Sequence, residues 1–198
     1  MKSIVAKIKK RIHSKDRGFV FTKSHFLDLG SRTAVAKALE RLADTGAIRR
    51  LSRGLYDYPE KHSALGDLPV NHERIAQALA GRDNLRIQPS GAYAANLLGL
   101  TDQVPAKIVF LTDGSHRKIQ IGNQQIILKR TTPKNMATAG KTSGLVIQAL
   151  RFIGQAHIDD KIIGILKRRL TTKDKDMLTA DIRYAPAWIE KVVGRLQE

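Results

Sequence analysis

Cysteine is absent from the 198-residue sequence. Its absence excludes a disulfide framework and zinc sites built from cysteine, and it is typical of a reducing cytoplasm. Long apolar runs are missing too: the N-terminal stretch MKSIVAKIKKRIHSK has no apolar core of signal-peptide length, and no segment is long enough to cross a bilayer. We therefore expect a cytoplasmic protein that has no membrane partner.

Acidic residues are scarce relative to basic ones. Lysine and arginine total 35 against 18 aspartates and glutamates, which gives a net charge of +17. Such an excess concentrates polyanions around a protein, and solubility alone rarely requires it. The balance predicts a nucleic-acid partner, and the simpler alternative is a solubilising surface. Apolar residues make up 42% of the chain, enough for a sizeable core.

The segment from Gly18 to Pro59 predicts a winged helix-turn-helix. A helix over residues 3–14 precedes it. Within the segment, the pattern indicates a strand at 19–21, a helix at about 23–29, a helix at about 32–45, and strands at 48–51 and 55–58 joined by a turn. A winged helix uses this order to place one helix in the major groove and a hairpin beside it.

The second helix of this segment has the pattern of a recognition helix. Its apolar positions recur on one face, and its basic and small polar residues lie on the other. Residues near its N-terminus are expected to reach base edges, and those further along the helix and on the wing are expected to meet phosphates. The predicted DNA-binding residues are Ser31, Arg32, Thr33, Lys37, Arg41, Arg49, Arg50 and Arg53. The alternative is that these residues form the solvated faces of a small α/β module.

Residues 60–72 resemble a linker, because the apolar periodicity lapses there. We therefore predict a DNA-binding domain over residues 1–62 and a second domain over residues 70–198. Residues up to His62 carry 15 basic and 6 acidic side chains, a net charge of +9, and the longer remainder carries +8. The denser positive charge supports assigning DNA contact to the first domain.

The second domain is predicted to be a small mixed α/β domain with a helical C-terminal third. The predicted elements are a helix at 71–80, a strand at 85–88 that stops at Pro89, a helix capped by Ser90, a strand at 107–112, a hairpin over 118–130, and helices at 142–153, 159–170, 173–181 and 186–196. The predicted fold class is α+β.

Motifs for catalysis or metal binding are weak, so we expect no catalytic residue, cofactor or metal site. A partial phosphate-loop pattern ends at Thr142, but Asn135 stands where the motif needs glycine, and Thr142 is better explained as a helix N-cap. Asp113, Ser115 and His116 share one turn, and the histidines lack metal-ligand spacing. A nucleic-acid-processing enzyme remains the alternative, with an acidic cluster at Asp159, Asp160, Asp174, Asp176 and Asp181.

A second basic set brackets the predicted hairpin and consists of Arg117, Lys118, Lys129 and Arg130. These side chains are candidates for an acidic partner surface or for a further DNA contact. The alternative is a solvated sheet edge, where lysine also discourages aggregation.

Several segments resemble the AbiEi-type antitoxins of type IV toxin–antitoxin systems. The likeness rests mainly on Arg53-Gly54-Leu55-Tyr56 and on Ser90-Gly91-Ala92-Tyr93-Ala94-Ala95-Asn96. It implies a two-domain bacterial protein whose winged helix represses its own operon through Arg32, Thr33, Lys37 and Arg53. The C-terminal domain would counteract a nucleotidyltransferase-like toxin, and the family supplies no catalytic residue. A stand-alone regulator with a ligand-sensing or oligomerising C-terminal domain is the other alternative.

Overall fold

The computed structural model describes residues 3–81 and 85–198, and the chain divides into two compact units, Met1–Asn84 and Leu85–Glu198. Both units combine helices with a β-sheet, so the protein has a mixed α+β fold as predicted. Within the described residues, no helix is both long and apolar enough to span a bilayer.

Unit 1 contains three helices and a small sheet among its described residues. Its elements are α1 (Ile4–His13), β1 (Phe19–Thr22), a 3₁₀ turn (Lys23–Phe26), α2 (Arg32–Asp44), β2 (Arg49–Ser52), β3 (Leu55–Tyr58), the short pair β4 (Lys61–His62) and β5 (Gly66–Asp67), and α3 (His72–Ala80). The main sheet has the order β1-β3-β2, and both pairings are antiparallel. The hairpin β2–β3 turns at Gly54, whose φ of +77° is a left-handed conformation that favours glycine.

The core of unit 1 is formed by the apolar faces of α1 and α2 together with the sheet and the 3₁₀ turn. Ile8 and Ile12 of α1 lie one turn apart and are fully buried, as is Leu39 of α2. Phe21 on β1 and Phe26 in the 3₁₀ turn meet edge to face, with their ring centroids 5.4 Å apart. This cluster fixes α2 by its apolar side and leaves the opposite side to solvent.

The segment at residues 23–29 is a 3₁₀ turn over Lys23–Phe26 and not the predicted helix. The backbone N–H of Thr22 donates to Nδ1 of His25 at 3.2 Å, which satisfies a local donor without an α-helical turn. Serine, histidine and aspartate within so short a segment also have weak helix propensity. Leu27 consequently points outward and is 40% exposed.

The division between the units lies near residue 84, whereas the predicted linker covers residues 60–72. Helix α3 packs against β1 of unit 1. The guanidinium of Arg74 on α3 donates from Nη1 to the backbone carbonyl of Arg17 at 3.0 Å and to Glu60 at 3.3 Å. The lapse of apolar periodicity around residue 65 therefore marks the hairpin β4–β5 inside unit 1, and not a link between domains.

Unit 2 combines a four-stranded sheet with a set of C-terminal helices. Its elements are β6 (Ile87–Ser90), α4 (Gly91–Leu97), β7 (Lys107–Thr112), β8 (Arg117–Ile121), β9 (Gln124–Arg130), α5 (Pro133–Met136), α6 (Thr142–Ile153), α7 (Asp160–Arg169), α8 (Thr172–Asp181) and α9 (Trp188–Gln197). The strand order is β6-β7-β9-β8, with β7 and β9 parallel and the other two pairs antiparallel. Helices α4 and α6 pack on β6, and α4 also packs on β7.

Two local predictions in unit 2 differ from the structure. Strand β6 continues through Pro89 to Ser90, which an edge strand tolerates because one side of it has no hydrogen-bonding neighbour. Lys141, not Thr142, is the N-cap residue of α6. Ser90 is the N-cap residue of α4 as predicted, although its side chain makes no capping hydrogen bond. The hydroxyl of Ser90 instead donates to Oε1 of Gln148 on α6 at 3.2 Å.

Candidate nucleic-acid interface

The exposed side of α2 carries the residues that the sequence predicted for base contact. Ser31 is the N-cap, and its Oγ accepts a hydrogen bond from the Ala34 N–H at 3.3 Å. Arg32, Thr33, Lys37 and Arg41 are all exposed. In residues 3–81 and 85–198, no ion pair engages Arg32, Lys37 or Arg41. The helix therefore presents cations whose charge is not neutralised by a bound carboxylate.

The hairpin β2–β3 carries two further exposed cations. Arg50 lies directly opposite Tyr56 in the register, and Arg53 occupies the turn before Gly54. Burial raises the pKa of the Tyr56 hydroxyl, and the nearby positive charge of Arg50 lowers it in part. Arg50 also lines a shallow cleft at the C-terminal end of α2, so part of the hairpin's charge lies close to that helix.

Arg49 differs from the other predicted DNA-binding residues. It donates from Nε and Nη2 to the two carboxylate oxygens of Asp57 at 3.1 and 2.6 Å, and Nη2 also donates to the Leu68 carbonyl at 3.1 Å. Asp57 is buried, with 1% of its surface exposed, and the hydrogen bonds from the arginine raise the pKa of Arg49. The guanidinium of Arg49 is thus engaged within unit 1, unlike the exposed arginines beside it.

Arg17 is a further cation beside the sheet that the sequence did not single out. Its guanidinium lies 4.7 Å from the ring centroid of Tyr58 and donates to the Pro59 carbonyl at 3.1 Å. No local pattern marks this position, because the contacts join residues about forty positions apart through the pairing of β1 with β3.

The second basic set is divided between the two faces of the sheet in unit 2. Side chains of directly paired residues share a face, and alternate residues of a strand point to opposite faces. Arg117 pairs with Leu128, and Lys118 pairs with Ile127. Lys118 and Lys129 therefore lie on one face, and Arg117 and Arg130 lie on the other. The predicted set does not form a single surface.

The acidic residues considered for a nuclease site each take part in separate local contacts. Asp159 caps α7 by accepting from the Ile162 N–H at 2.9 Å, and Asp160 pairs with Arg195. Hydrogen bonds from Thr171 lower the pKa of Asp174 at the start of α8. In the described parts of the chain, no group of three or more histidine, aspartate or glutamate side chains is arranged to hold a metal ion.

Asp181 belongs to a buried polar cluster that the sequence did not reveal. Its carboxylate accepts from the Ser143 hydroxyl at 2.6 Å and from the Lys141 ammonium at 3.1 Å. Asp113 lies elsewhere, in the turn after β7, and accepts from the backbone N–H and the Nε of Arg86 at 3.0 and 2.9 Å. The hydrogen bond from the Arg86 side chain lowers the pKa of Asp113. These hydrogen bonds join segments of unit 2 that are distant in the sequence. The carboxylates of Asp113 and Asp181 are therefore engaged in structural contacts.

Comparison with known proteins gives a family but no activity. No curated protein matches the sequence. Among solved structures, the chain is similar to the RV2827C protein from Mycobacterium tuberculosis, at 14% identity and a TM-score of 0.46, with 97% of this chain and 81% of that chain covered. A model of a family of unknown function, DUF6088, matches residues 7–178. The chain therefore belongs to the DUF6088 family.

Proposed function

We propose that the protein is a sequence-specific DNA-binding autorepressor that uses unit 1 as a winged helix-turn-helix. The observation that carries the proposal is the exposed side of α2, where Arg32, Thr33, Lys37 and Arg41 face solvent, and the three cations form no ion pair with any residue in 3–81 or 85–198. The succession of α1, the 3₁₀ turn, α2 and the hairpin β2–β3 has the order of a winged helix.

The division of labour between the side chains follows from their positions. Arg32, Thr33 and Lys37 lie in the first two turns of α2, where a helix inserted into the major groove brings side chains to base edges. In this proposal, Arg41 on the helix and Arg50 and Arg53 on the hairpin contact phosphates. Phosphate contacts set the position of the protein on the duplex, and contacts from the first turns of the helix supply sequence preference.

The packing behind α2 supports this role. Val35 and Leu39 are fully buried, and Leu42 is nearly so, which fixes the helix in the core of unit 1. A helix held in this way presents its outward side chains without a large ordering cost on binding. Glu40 and Asp44, the exposed acids of α2, lie towards its C-terminal half, away from the residues proposed to read bases.

The experiment uses the DNA upstream of the protein's own gene and a scrambled duplex of equal length. Arg32→Ala and Lys37→Ala should each weaken binding to the natural site about 5- to 100-fold, because a base contact contributes about 1–3 kcal/mol of discrimination. Binding to the scrambled duplex should change much less. Arg53→Ala should weaken both by the same factor and reduce the salt slope by about 0.9, as loss of a phosphate contact does.

Lys161→Ala on α7 is the control, because it removes one exposed positive charge from unit 2. Normal binding of the natural site by folded Arg32→Ala and Lys37→Ala variants would show that α2 does not read DNA.

The antitoxin role is a proposal that depends on the resemblance to AbiEi-type proteins. In this proposal, unit 2 counteracts a nucleotidyltransferase-like toxin encoded beside the gene. Co-expression provides the test: growth arrest caused by the neighbouring gene should be relieved by the full chain and by its Arg32→Ala variant. Relief by the Arg32→Ala variant would separate antitoxin activity from repression, and failure of the full chain to restore growth would leave only a regulator.

A further inference from the structure

One face of strands β8 and β9 in the sheet of unit 2 carries exposed side chains, which are Lys118, Gln120 and Lys129. Helices α4 and α6 pack at the β6–β7 side, and β9 and β8 form the other half. On this face of β8 and β9 lie Lys118 and Lys129, and Lys107 lies on the same face at the start of the neighbouring strand β7; we call these three residues the lysine face.

The strand registers place these three lysines on the same face. Lys118 lies opposite Ile127 on β9, and Lys129 is two residues beyond Ile127, so both point the same way. Lys107 lies opposite Gln125 on β9, which is two residues before Ile127. With strands about 4.8 Å apart and about 3.3 Å per residue, the backbone positions of the three lysines are separated by roughly 8–14 Å.

Burial and charge distinguish the lysine face from the reverse of the same strands. All three lysines are exposed, whereas Ile126 and Leu128 on the reverse face are each 1% exposed. Gln120, Gln125, Val109 and Ile127 are the side chains between the lysines, so no acid lies within this part of the sheet. In the parts of the chain that the structure describes, no ion pair engages any of the three lysines.

We propose that the lysine face binds the phosphodiester backbone of duplex DNA. Lysine recognises phosphate as a compact positive charge on a flexible stem, which suits a surface that follows a backbone without reading bases. The surrounding charge favours the same partner, since Leu85–Glu198 contain 18 lysines and arginines against 9 acidic residues, a net charge of +9.

The composition of the lysine face argues against two other polyanionic partners. Protein interfaces have a core that is poor in charge and enriched in aromatic residues, and here the exposed positions are lysine and glutamine. Single-stranded nucleic acid is held by bases stacked on aromatic rings, and the side chains of this face include none. Binding to the phosphodiester backbone of a duplex requires neither an interface core poor in charge nor aromatic rings for stacking.

This inference has the same ligand, duplex DNA, as the proposed function, but it depends on different residues. An experiment can therefore reject either proposal without rejecting the other. The test compares full-length Lys107→Gln/Lys118→Gln/Lys129→Gln with a control, Lys134→Gln/Lys161→Gln/Lys191→Gln, which removes the same charge from exposed positions on α5, α7 and α9. Affinity for a duplex without the natural site is measured at several salt concentrations. Since about 0.9 of the slope of log K against log[salt] is lost per phosphate contact, the lysine-face variant should have a slope shallower by up to about 2.7.

A measurement on the wild-type chain makes the test independent of variant folding. Acetylation of lysines by a water-soluble ester, followed by mass spectrometry, should slow at Lys107, Lys118 and Lys129 when the duplex is added, and should continue unchanged at Lys134, Lys161 and Lys191. Equal salt slopes for the two triple variants, or equal acetylation with and without DNA, would overturn the proposal. Suppose that the lysine-face variant has a shallower salt slope and that Arg32→Ala binds the natural site normally. This result would support DNA binding by the lysine face and reject α2 as the recognition helix.

Discussion

Two adjacent arginines on one strand show how much the role of a charged residue depends on its partner. Arg49 and Arg50 are neighbours on β2, and they point to opposite faces of the sheet. Arg49 meets the buried carboxylate of Asp57, and Arg50 faces solvent. The sequence Arg-Arg does not distinguish the two, because Asp57 reaches Arg49 only through the register of β2 with β3.

Replacing each arginine by alanine should give opposite results. Arg49→Ala leaves a carboxylate that is 1% exposed without its cation. We expect a loss of about 3 kcal/mol in the free energy of unfolding, which is the lower end for a buried pair because Arg49 itself is partly exposed. Arg50→Ala should change it by no more than about 0.5 kcal/mol and should weaken DNA binding. Urea unfolding followed by circular dichroism, together with DNA titration, measures both.

The double variant Arg49→Ala/Asp57→Asn is the control for the stability of Arg49→Ala. Removing the charge of the orphaned carboxylate should restore part of the lost stability, because the cost comes from an unpaired buried charge. An Arg49→Ala variant that is as stable as the wild type but binds DNA poorly would return Arg49 to the DNA-binding surface.

At the scale of one element, Gly144 allows α6 to pack closely against neighbouring residues. Gly144 lies in the first turn of α6 and is buried. A Cβ placed there would be 2.2 Å from the Thr138 carbonyl oxygen and 2.7 Å from Oε1 of Gln88, which itself accepts from the Gly140 N–H at 3.2 Å. Close approach of α6 to the preceding loop and to β6 therefore requires a residue without a side chain.

Gly144→Ala should destabilise the protein although alanine is the better helix former. Overpacking of this kind costs about 1–3 kcal/mol, and the carbonyl oxygen in contact belongs to the backbone and cannot rotate away. Gly194→Ala in α9 is the matched control, since a Cβ at Gly194 meets nothing within 4 Å and should stabilise by about 0.5–1 kcal/mol. Thermal unfolding of both variants tests this expectation. A Gly144→Ala variant that is more stable than the wild type would show that the packing of α6 does not require glycine at this position.

Elements defined by local patterns could be predicted, and those defined by distant partners could not. Helix α6 has the predicted bounds, because apolar spacing and a terminal glycine are local signals. The parallel pairing of β7 with β9 was not predicted, since nothing near Lys107–Thr112 indicates which strand will lie beside it. The same limit applies to the candidate site: exposure of Arg32 and Lys37 follows from helical spacing, whereas the pairing of Arg49 with Asp57 follows from strand register.

At the scale of the whole molecule, the division near residue 84 changes which part of the chain should fold by itself. Unit 1 has its own core, made from α1, α2 and the sheet. Helix α3 completes this unit by packing on β1, and the segment leading to α3 supplies the Leu68 carbonyl that accepts from Arg49. A fragment that ends at the predicted boundary of residue 62 lacks both contributions.

A fragment of residues 1–84 should therefore unfold cooperatively. A fragment of residues 1–62 should have a Tm lower by at least about 10 °C, because each kcal/mol lost lowers Tm by about 4–8 °C in a domain of this size. Calorimetry on both fragments makes the comparison. Arg74→Ala within residues 1–84 removes the exposed hydrogen bonds to Arg17 and Glu60 and keeps α3. It should therefore lower Tm by far less than loss of the whole helix. Equal Tm values for the two fragments would mean that α3 does not stabilise unit 1. Residues 1–62 would then be the part of the chain that folds by itself.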